Sequence, residues 1–66
     1  MKLVVNGEVR EVSGVTTVAE LLGFFKLQHK ILVVELNRVI IERHQYESTP
    51  LQEGDQLEIV HFVGGG

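Results

Sequence analysis

The chain has 66 residues, of which 44% are hydrophobic, and its six basic and nine acidic side chains give a formal net charge of -3. This length allows one domain with a small core, and it excludes a large enclosed active site. Cysteine is absent, which excludes disulfides, thiolate metal sites and a cysteine nucleophile.

The positive charges form no basic stripe of the kind that binds nucleic acid. No apolar run reaches the roughly 20 residues that span a membrane, and the start of the chain turns polar at Asn6, too early for a signal peptide. We therefore expect a cytoplasmic protein that has neither nucleic acid nor a membrane as a partner.

The first segment predicts a β-hairpin. Lys2–Val5 is rich in residues that favour strands, and Asn6-Gly7 is a dipeptide that suits a type I′ turn. Residues 8–12 should return antiparallel, and Ser13-Gly14 should end that strand.

A short helix is predicted next. Thr17 and Glu20 have the spacing of a capping box, in which each side chain accepts from the backbone amide of the other residue. Four apolar residues then follow at i, i+3, i+4 and i+7, which places them on one helical face that should meet the core: Val18, Leu21, Leu22 and Phe25.

The second half of the chain predicts three more strands. Residues 31–36 and 39–41 are mostly apolar and flank a tight turn at Asn37-Arg38. Residues 42–50 are polar apart from Tyr46, which predicts a loop with one short helical turn and the tyrosine covering one end of the core.

The last strand is predicted at residues 57–63, after a turn at 53–55. Alternation with period two points Leu57 and Ile59 toward the helix and Glu58 toward solvent. The same phase exposes Val60 and Phe62 next to the chain end, which makes this apolar pair a candidate docking patch for a transient partner. The alternative interpretation is that Val60 and Phe62 belong to ordinary sheet surface that neighbouring residues cover.

The element order ββαββ(turn)β is that of an α+β, ubiquitin-like β-grasp fold. Such a fold has a mixed sheet of four to five strands packed on one helix, with the first and last strands parallel at its centre. We expect one domain over residues 1–63 and a flexible glycine tail over residues 64–66.

The tail ends in Gly64-Gly65-Gly66. Glycines without Cβ atoms can lie extended in a narrow channel of another enzyme, and the last carboxyl carbon is unhindered. Because a carboxylate is a poor electrophile, its expected chemistry is attack on the α-phosphorus of ATP to form an acyl adenylate. Read alone, the tail is equally compatible with a frayed end or a cloning remnant.

End to end, the chain resembles the ThiS family, the small ubiquitin-like sulfur carriers of bacterial thiamine biosynthesis. The most specific part is a final strand that runs directly into Gly65-Gly66, with Gly64 as a third glycine. The resemblance rests on five segments: residues 1–7, 17–22, 33–41, 53–59 and 60–66.

This resemblance implies a carrier and co-substrate, not an enzyme, that binds no cofactor itself. A ThiF-like adenylyltransferase would use ATP to adenylate Gly66, and sulfur from a cysteine desulfurase or another donor would convert it to a thiocarboxylate. Thiazole synthase would then receive the sulfur. Gly65 and Gly66 carry over from the family, whereas Val60, Phe62 and Gly64 are candidates for docking and for guiding the tail.

Three alternatives belong to other classes: a molybdopterin-type sulfur carrier, a ubiquitin-like protein modifier and a plain interaction module.

The remaining polar residues are interpreted as structural. His29, His44 and His61 lack metal-ligand spacing, with His61 at the partly exposed edge of the core, and Glu53 and Asp55 belong to a turn.

Overall fold

The computed structural model describes residues 1–30 and 32–61 of the chain. Within them lie one α-helix and five strands: β1 Lys2–Val5, β2 Glu8–Glu11, α1 Val18–Phe24, β3 Leu32–Leu36, β4 Val39–Ile41 and β5 Gln56–His61. A 3-10 turn at Arg43–Gln45 lies between β4 and β5, in the polar segment that was predicted to hold one short helical turn.

The five strands form one sheet in the order β2-β1-β5-β3-β4. At its centre β1 and β5 run parallel, with Val4 opposite Gln56 and Val5 opposite Leu57. The other neighbouring pairs are antiparallel. This arrangement confirms the predicted β-grasp fold, in which the first and last strands are parallel at the centre of the sheet. Parallel neighbours need a long connection, and the chain between β1 and β5 includes α1.

Both hairpins close through two residues in the left-handed region. Asn6 and Gly7 have φ of 52° and 81°, and Asn37 and Arg38 have φ of 50° and 71°. Two-residue turns of this kind match the right-handed twist of the strands they join, so they hold the register of the hairpins. Asparagine tolerates this conformation better than most residues.

One face of the sheet packs against α1 and forms the core. Alternation along β1 and β5 buries Leu3, Val5, Leu57 and Ile59 on this face, as predicted for β5. The complete set of buried hydrophobic residues among those described is Leu3, Val5, Val12, Val15, Val18, Leu21, Leu22, Val34, Leu51, Leu57 and Ile59. Tyr46 is partly buried against this set, in agreement with its predicted position at the core.

The helix is one residue shorter than its apolar spacing implies. Val18, Leu21 and Leu22 are buried as predicted, but α1 ends at Phe24. Phe25 is the C-cap, its N–H donates to the Leu21 carbonyl at 3.1 Å, and its ring packs against the core partly buried. The contact that was predicted for the helix face is thus made from the residue after the helix.

The predicted capping box at the start of α1 is half correct. The Thr17 hydroxyl accepts from the Glu20 N–H at 3.2 Å. The Glu20 carboxylate does not return to Thr17; it accepts from the Thr16 N–H at 2.7 Å and the Thr16 hydroxyl at 2.6 Å. The hydroxyl and then the amide of Thr16 lower the pKa of Glu20, since both bonds favour the charged form.

Most strand limits agree with the predicted ones where they can be compared, including both limits of β1 and of β4. Two limits differ by one residue. β2 ends at Glu11 instead of residue 12, and β5 begins at Gln56 instead of residue 57. The predicted positions Ile31, Phe62 and Val63 lie outside the described residues. In the part of the chain that is described, no helix has the length and apolar character needed to cross a membrane.

Candidate functional site

The candidate site is the end of β5, where the last described residues lead toward the glycines. Val60 is 53% exposed on the sheet face opposite α1, as its phase in the strand predicts. Phe62 and the three glycines Gly64, Gly65 and Gly66 lie outside the described residues. The structure therefore gives the position of Val60 alone among the five predicted site residues.

Val60 has an apolar neighbour that the sequence did not identify. Val33 in β3 pairs directly with Val60 across the antiparallel ladder and is 36% exposed. Their neighbours Val34 and Ile59 also pair, but they are buried on the helix face. Val33 and Val60 thus form one apolar patch on the outer face, here called the valine pair. This patch lies near the end of β5, from which the chain continues to the glycines.

A pair of carboxylates adjoins the valine pair. Glu35 and Glu58 occupy opposite positions of β3 and β5, two residues further from the tail along each strand. Among the residues that the structure describes, neither forms an ion pair. The outer face therefore combines an apolar patch with two adjacent carboxylates that form no ion pair among the described residues.

On the helix side of β5, an open pocket of about 240 Å³ lies at the same end of the strand. Val5, Phe25 and Ile59 contribute apolar surface, and Arg10 and His61 contribute polar groups. The Arg10 guanidinium lies 5.0 Å from the centre of the Phe25 ring, a cation–π distance. His61 is exposed at this edge of the core, close to its predicted position.

The other polar residues that could suggest a catalytic or metal site either form structural hydrogen bonds or lie exposed. Asp55 accepts from the Gln52 N–H at 2.8 Å, a bond within the turn that agrees with its predicted role. Glu53 accepts from the Lys2 N–H at 3.0 Å and so also joins the turn to β1. His29 and His44 are exposed. Residues 1–30 and 32–61 contain no group of three side chains arranged to hold a metal ion.

Sequence reasoning missed the role of two asparagine side chains that hold β5. Asn6 exchanges two hydrogen bonds with the backbone of Ile59, and Asn37 accepts one from the N–H of Gln56. Both residues were interpreted as turn formers. The presence of asparagine instead of glycine at these two turn positions could have indicated the bonds. Glycine adopts the same backbone conformation but has no side chain that donates or accepts.

Comparisons with known proteins agree on one family. The model of the ThiS family matches residues 3–66. The sulfur carrier protein ThiS of Bacillus subtilis is 46% identical over 50 residues, which cover 76% of each chain. The crystal structure of the thiamine biosynthesis protein ThiS from Geobacter metallireducens superposes with a TM-score of 0.83 at 39% identity and covers all of both chains.

A longer protein contains a similar segment. The thiazole synthase of Paramagnetospirillum magneticum is 44% identical over all 66 residues of this chain, which spans 20% of that protein. The family match over residues 3–66, the B. subtilis relative and the superposed fold lead to the same conclusion: the chain belongs to the ThiS family.

Proposed function

We propose that this chain is the sulfur carrier for the thiazole ring of thiamine and that Gly66 bears the sulfur. The observation that carries this proposal is the family match, which extends over residues 3–66 and so includes Gly64, Gly65 and Gly66. The absence of cysteine supports it, since no thiol of this chain competes with a C-terminal thioacid as the attachment point.

The first step is activation of Gly66 by a ThiF-like adenylyltransferase in the cytoplasm. A carboxylate oxygen attacks the α-phosphorus of ATP, the bond between the α- and β-phosphates breaks, and pyrophosphate leaves. The resulting acyl adenylate is a far better electrophile than the carboxylate, because AMP is a good leaving group. The glycines Gly64 and Gly65 let the tail enter the active site of that enzyme, since they present no Cβ atoms.

The second step installs sulfur. The terminal sulfur of a cysteine desulfurase persulfide, or of another donor, attacks the acyl carbon and expels AMP. When the donor is a persulfide, a second thiol attacks the donor sulfur of the resulting acyl disulfide. The S–S bond breaks, a new disulfide forms between that thiol and the donor, and the thiocarboxylate on Gly66 is released. In this sequence the chain supplies the substrate and its partners supply the catalytic groups, so it acts as a carrier and not as an enzyme.

The acceptor of the sulfur is thiazole synthase. One observation supports this partner: the P. magneticum thiazole synthase includes a segment similar to the whole of this chain. The valine pair and Phe62, which follows Val60 by two positions in the sequence, provide the docking surface at the base of the tail. Exposed apolar side chains next to a reactive terminus suit a transient interface with an apolar centre.

The proposal is tested by intact-mass analysis of the chain ending at Gly66. After incubation with ATP, the adenylyltransferase and a persulfide donor, we expect replacement of one oxygen by sulfur. Deletion of Gly65 and Gly66 removes this change without altering the fold, and addition of one alanine after Gly66 does so while keeping both glycines. An unmodified chain in the presence of a donor shown to be active would overturn the proposal.

A further inference from the structure

The parallel ladder between β1 and β5 ends before β5 does. Its last backbone contact is the Asn6 N–H, which donates to the Leu57 carbonyl at 2.9 Å. At Asn6 the backbone enters the left-handed region, and β1 turns away into the first hairpin. From this point the backbone of β1 offers nothing to the remaining residues of β5.

The Asn6 side chain extends the ladder by one more step. Its Oδ1 accepts from the Ile59 N–H at 2.8 Å, and its Nδ2 donates to the Ile59 carbonyl at 3.1 Å. Both bonds are partly buried. The primary amide carries the same donor and acceptor as a peptide group, so it replaces the strand residue that the hairpin removes.

The backbone groups that point toward β1 recur every second residue along β5. After Ile59 the next such residue is His61, which directly precedes Phe62. The Asn6 side chain therefore makes the last hydrogen bonds that hold β5 on the β1 side within the described residues. We propose that Asn6 is a positioning residue: it fixes the end of β5, which is the base from which the glycine tail continues. This assignment rests on the proposed function of Gly66.

Loss of the two Asn6 bonds should weaken binding to the partner enzyme without changing the rate of the chemical step. Without the two Asn6 bonds, the end of β5 keeps its pairing with β3 and the core packing of Ile59 but loses its last hydrogen bonds on the β1 side. The base of the tail is then oriented less strictly. A partner enzyme must order this segment when the tail enters its active site, and that ordering reduces affinity. Once the tail is bound, Gly66 and its carboxylate are unchanged, so the rate of adenylation at saturation stays the same.

The other end of β5 offers a matched control. Asn37 also begins a two-residue turn with positive φ, its Oδ1 accepts from the Gln56 N–H at 3.0 Å, and its Nδ2 donates to Asp55 at 3.2 Å. The same replacement, Asn37→Gly, removes side-chain bonds to the start of β5 while the turn stays favourable. It affects the stability of the same strand but at the end distant from the tail.

The experiment compares Asn6→Gly and Asn37→Gly as substrates of the adenylyltransferase. Pyrophosphate release gives KM and kcat for each chain, and hydrogen exchange reports the Ile59 and Gln56 amides. For Asn6→Gly we expect faster exchange at Ile59, an unchanged kcat and a KM raised roughly three- to tenfold, the range that one or two net hydrogen bonds support. For Asn37→Gly we expect faster exchange at Gln56 and an unchanged KM.

A conservative variant distinguishes positioning from general stability. Asn6→Asp keeps an oxygen that accepts from the Ile59 N–H but places a second carboxylate oxygen against the Ile59 carbonyl in place of the donor. Its KM should therefore also rise above the wild-type value. An equal rise in KM for Asn37→Gly would overturn the proposal, as would an unchanged KM for Asn6→Gly despite fast Ile59 exchange. Failure of the wild-type chain to be adenylated would contradict the proposed function itself.

Discussion

Glu35 on β3 lies directly opposite Glu58 on β5, so two carboxylates stand side by side on the outer face of the sheet. Cβ atoms of directly opposed residues are about 5 Å apart, and like charges in such pairs destabilise a sheet. Arg38 lies on the same part of the surface, yet no ion pair to either carboxylate is formed among the described residues.

Removal of one of these charges should stabilise the isolated domain. We expect Glu58→Gln to raise the free energy of unfolding by about 0.2–1 kcal/mol at low salt, measured by urea denaturation. The gain should shrink at high salt, because screening weakens the repulsion in the wild-type protein. The control is Glu47→Gln, which removes the same charge from an exposed position outside the strands. An equal gain in both variants would attribute the effect to net charge instead of to the pair.

The proposed docking role of the valine pair is tested by Val60→Thr. Threonine keeps the β-branched shape that suits a strand but places a hydroxyl in the apolar patch. We expect kcat/KM for sulfur transfer to thiazole synthase to fall by about fivefold, equivalent to about 1 kcal/mol. The matched control is Val9→Thr on β2, where the valine is 69% exposed on the same face but distant from β5 in strand order. A similar loss in both variants would contradict a local docking site.

Stability in acid should depend on Glu20. Its pKa is held below the usual value of 4.5, first by the Thr16 hydroxyl and then by the Thr16 amide. Because the folded pKa is lowered, this contribution is complete above the unfolded pKa and is lost as pH falls through the folded pKa. We expect the stability difference between wild type and Glu20→Gln to be largest at neutral pH and to vanish in strong acid.

The same site permits a direct titration. Thr16→Val removes the hydroxyl that donates at 2.6 Å while the Thr16 amide is retained. NMR titration of the Glu20 carboxyl should then show a pKa higher than in wild type, because the charged form has lost one of its donors. An unchanged pKa would mean that the Thr16 hydroxyl does not lower the pKa of this carboxyl and that backbone amides control it.

The core itself should be sensitive to truncation. Leu21 in α1 is completely buried, and Leu21→Ala should lower the free energy of unfolding by about 2–5 kcal/mol. Val39→Ala is the control, since Val39 is 61% exposed on an edge strand and should cost less than about 1 kcal/mol. Both values follow from urea denaturation. A small loss at Leu21 would contradict close packing between α1 and the sheet.

Much of the fold is predictable because its signals are local. The alternation of Leu57, Glu58, Ile59 and Val60 assigns each side chain to a face without knowledge of the neighbouring strands, since the period of a strand is two. The Asn-Gly turn is equally local, because the dipeptide itself favours the required conformation. Phe25 was misplaced because apolar spacing does not report where the helix ends, and the left-handed Lys26 follows it at once.

The sequence by itself determined which side chains of β5 face the helix, the apolar face of the helix and the choice of Val60 and Gly66 as candidate residues. Only the tertiary structure decided that Val33 meets Val60, that Glu35 faces Glu58, and that the Asn6 side chain reaches Ile59 across 53 positions. These contacts depend on strand order and register, which result from burying all the apolar faces together. A local pattern records which side of a strand is buried, but not which residue of another strand lies opposite.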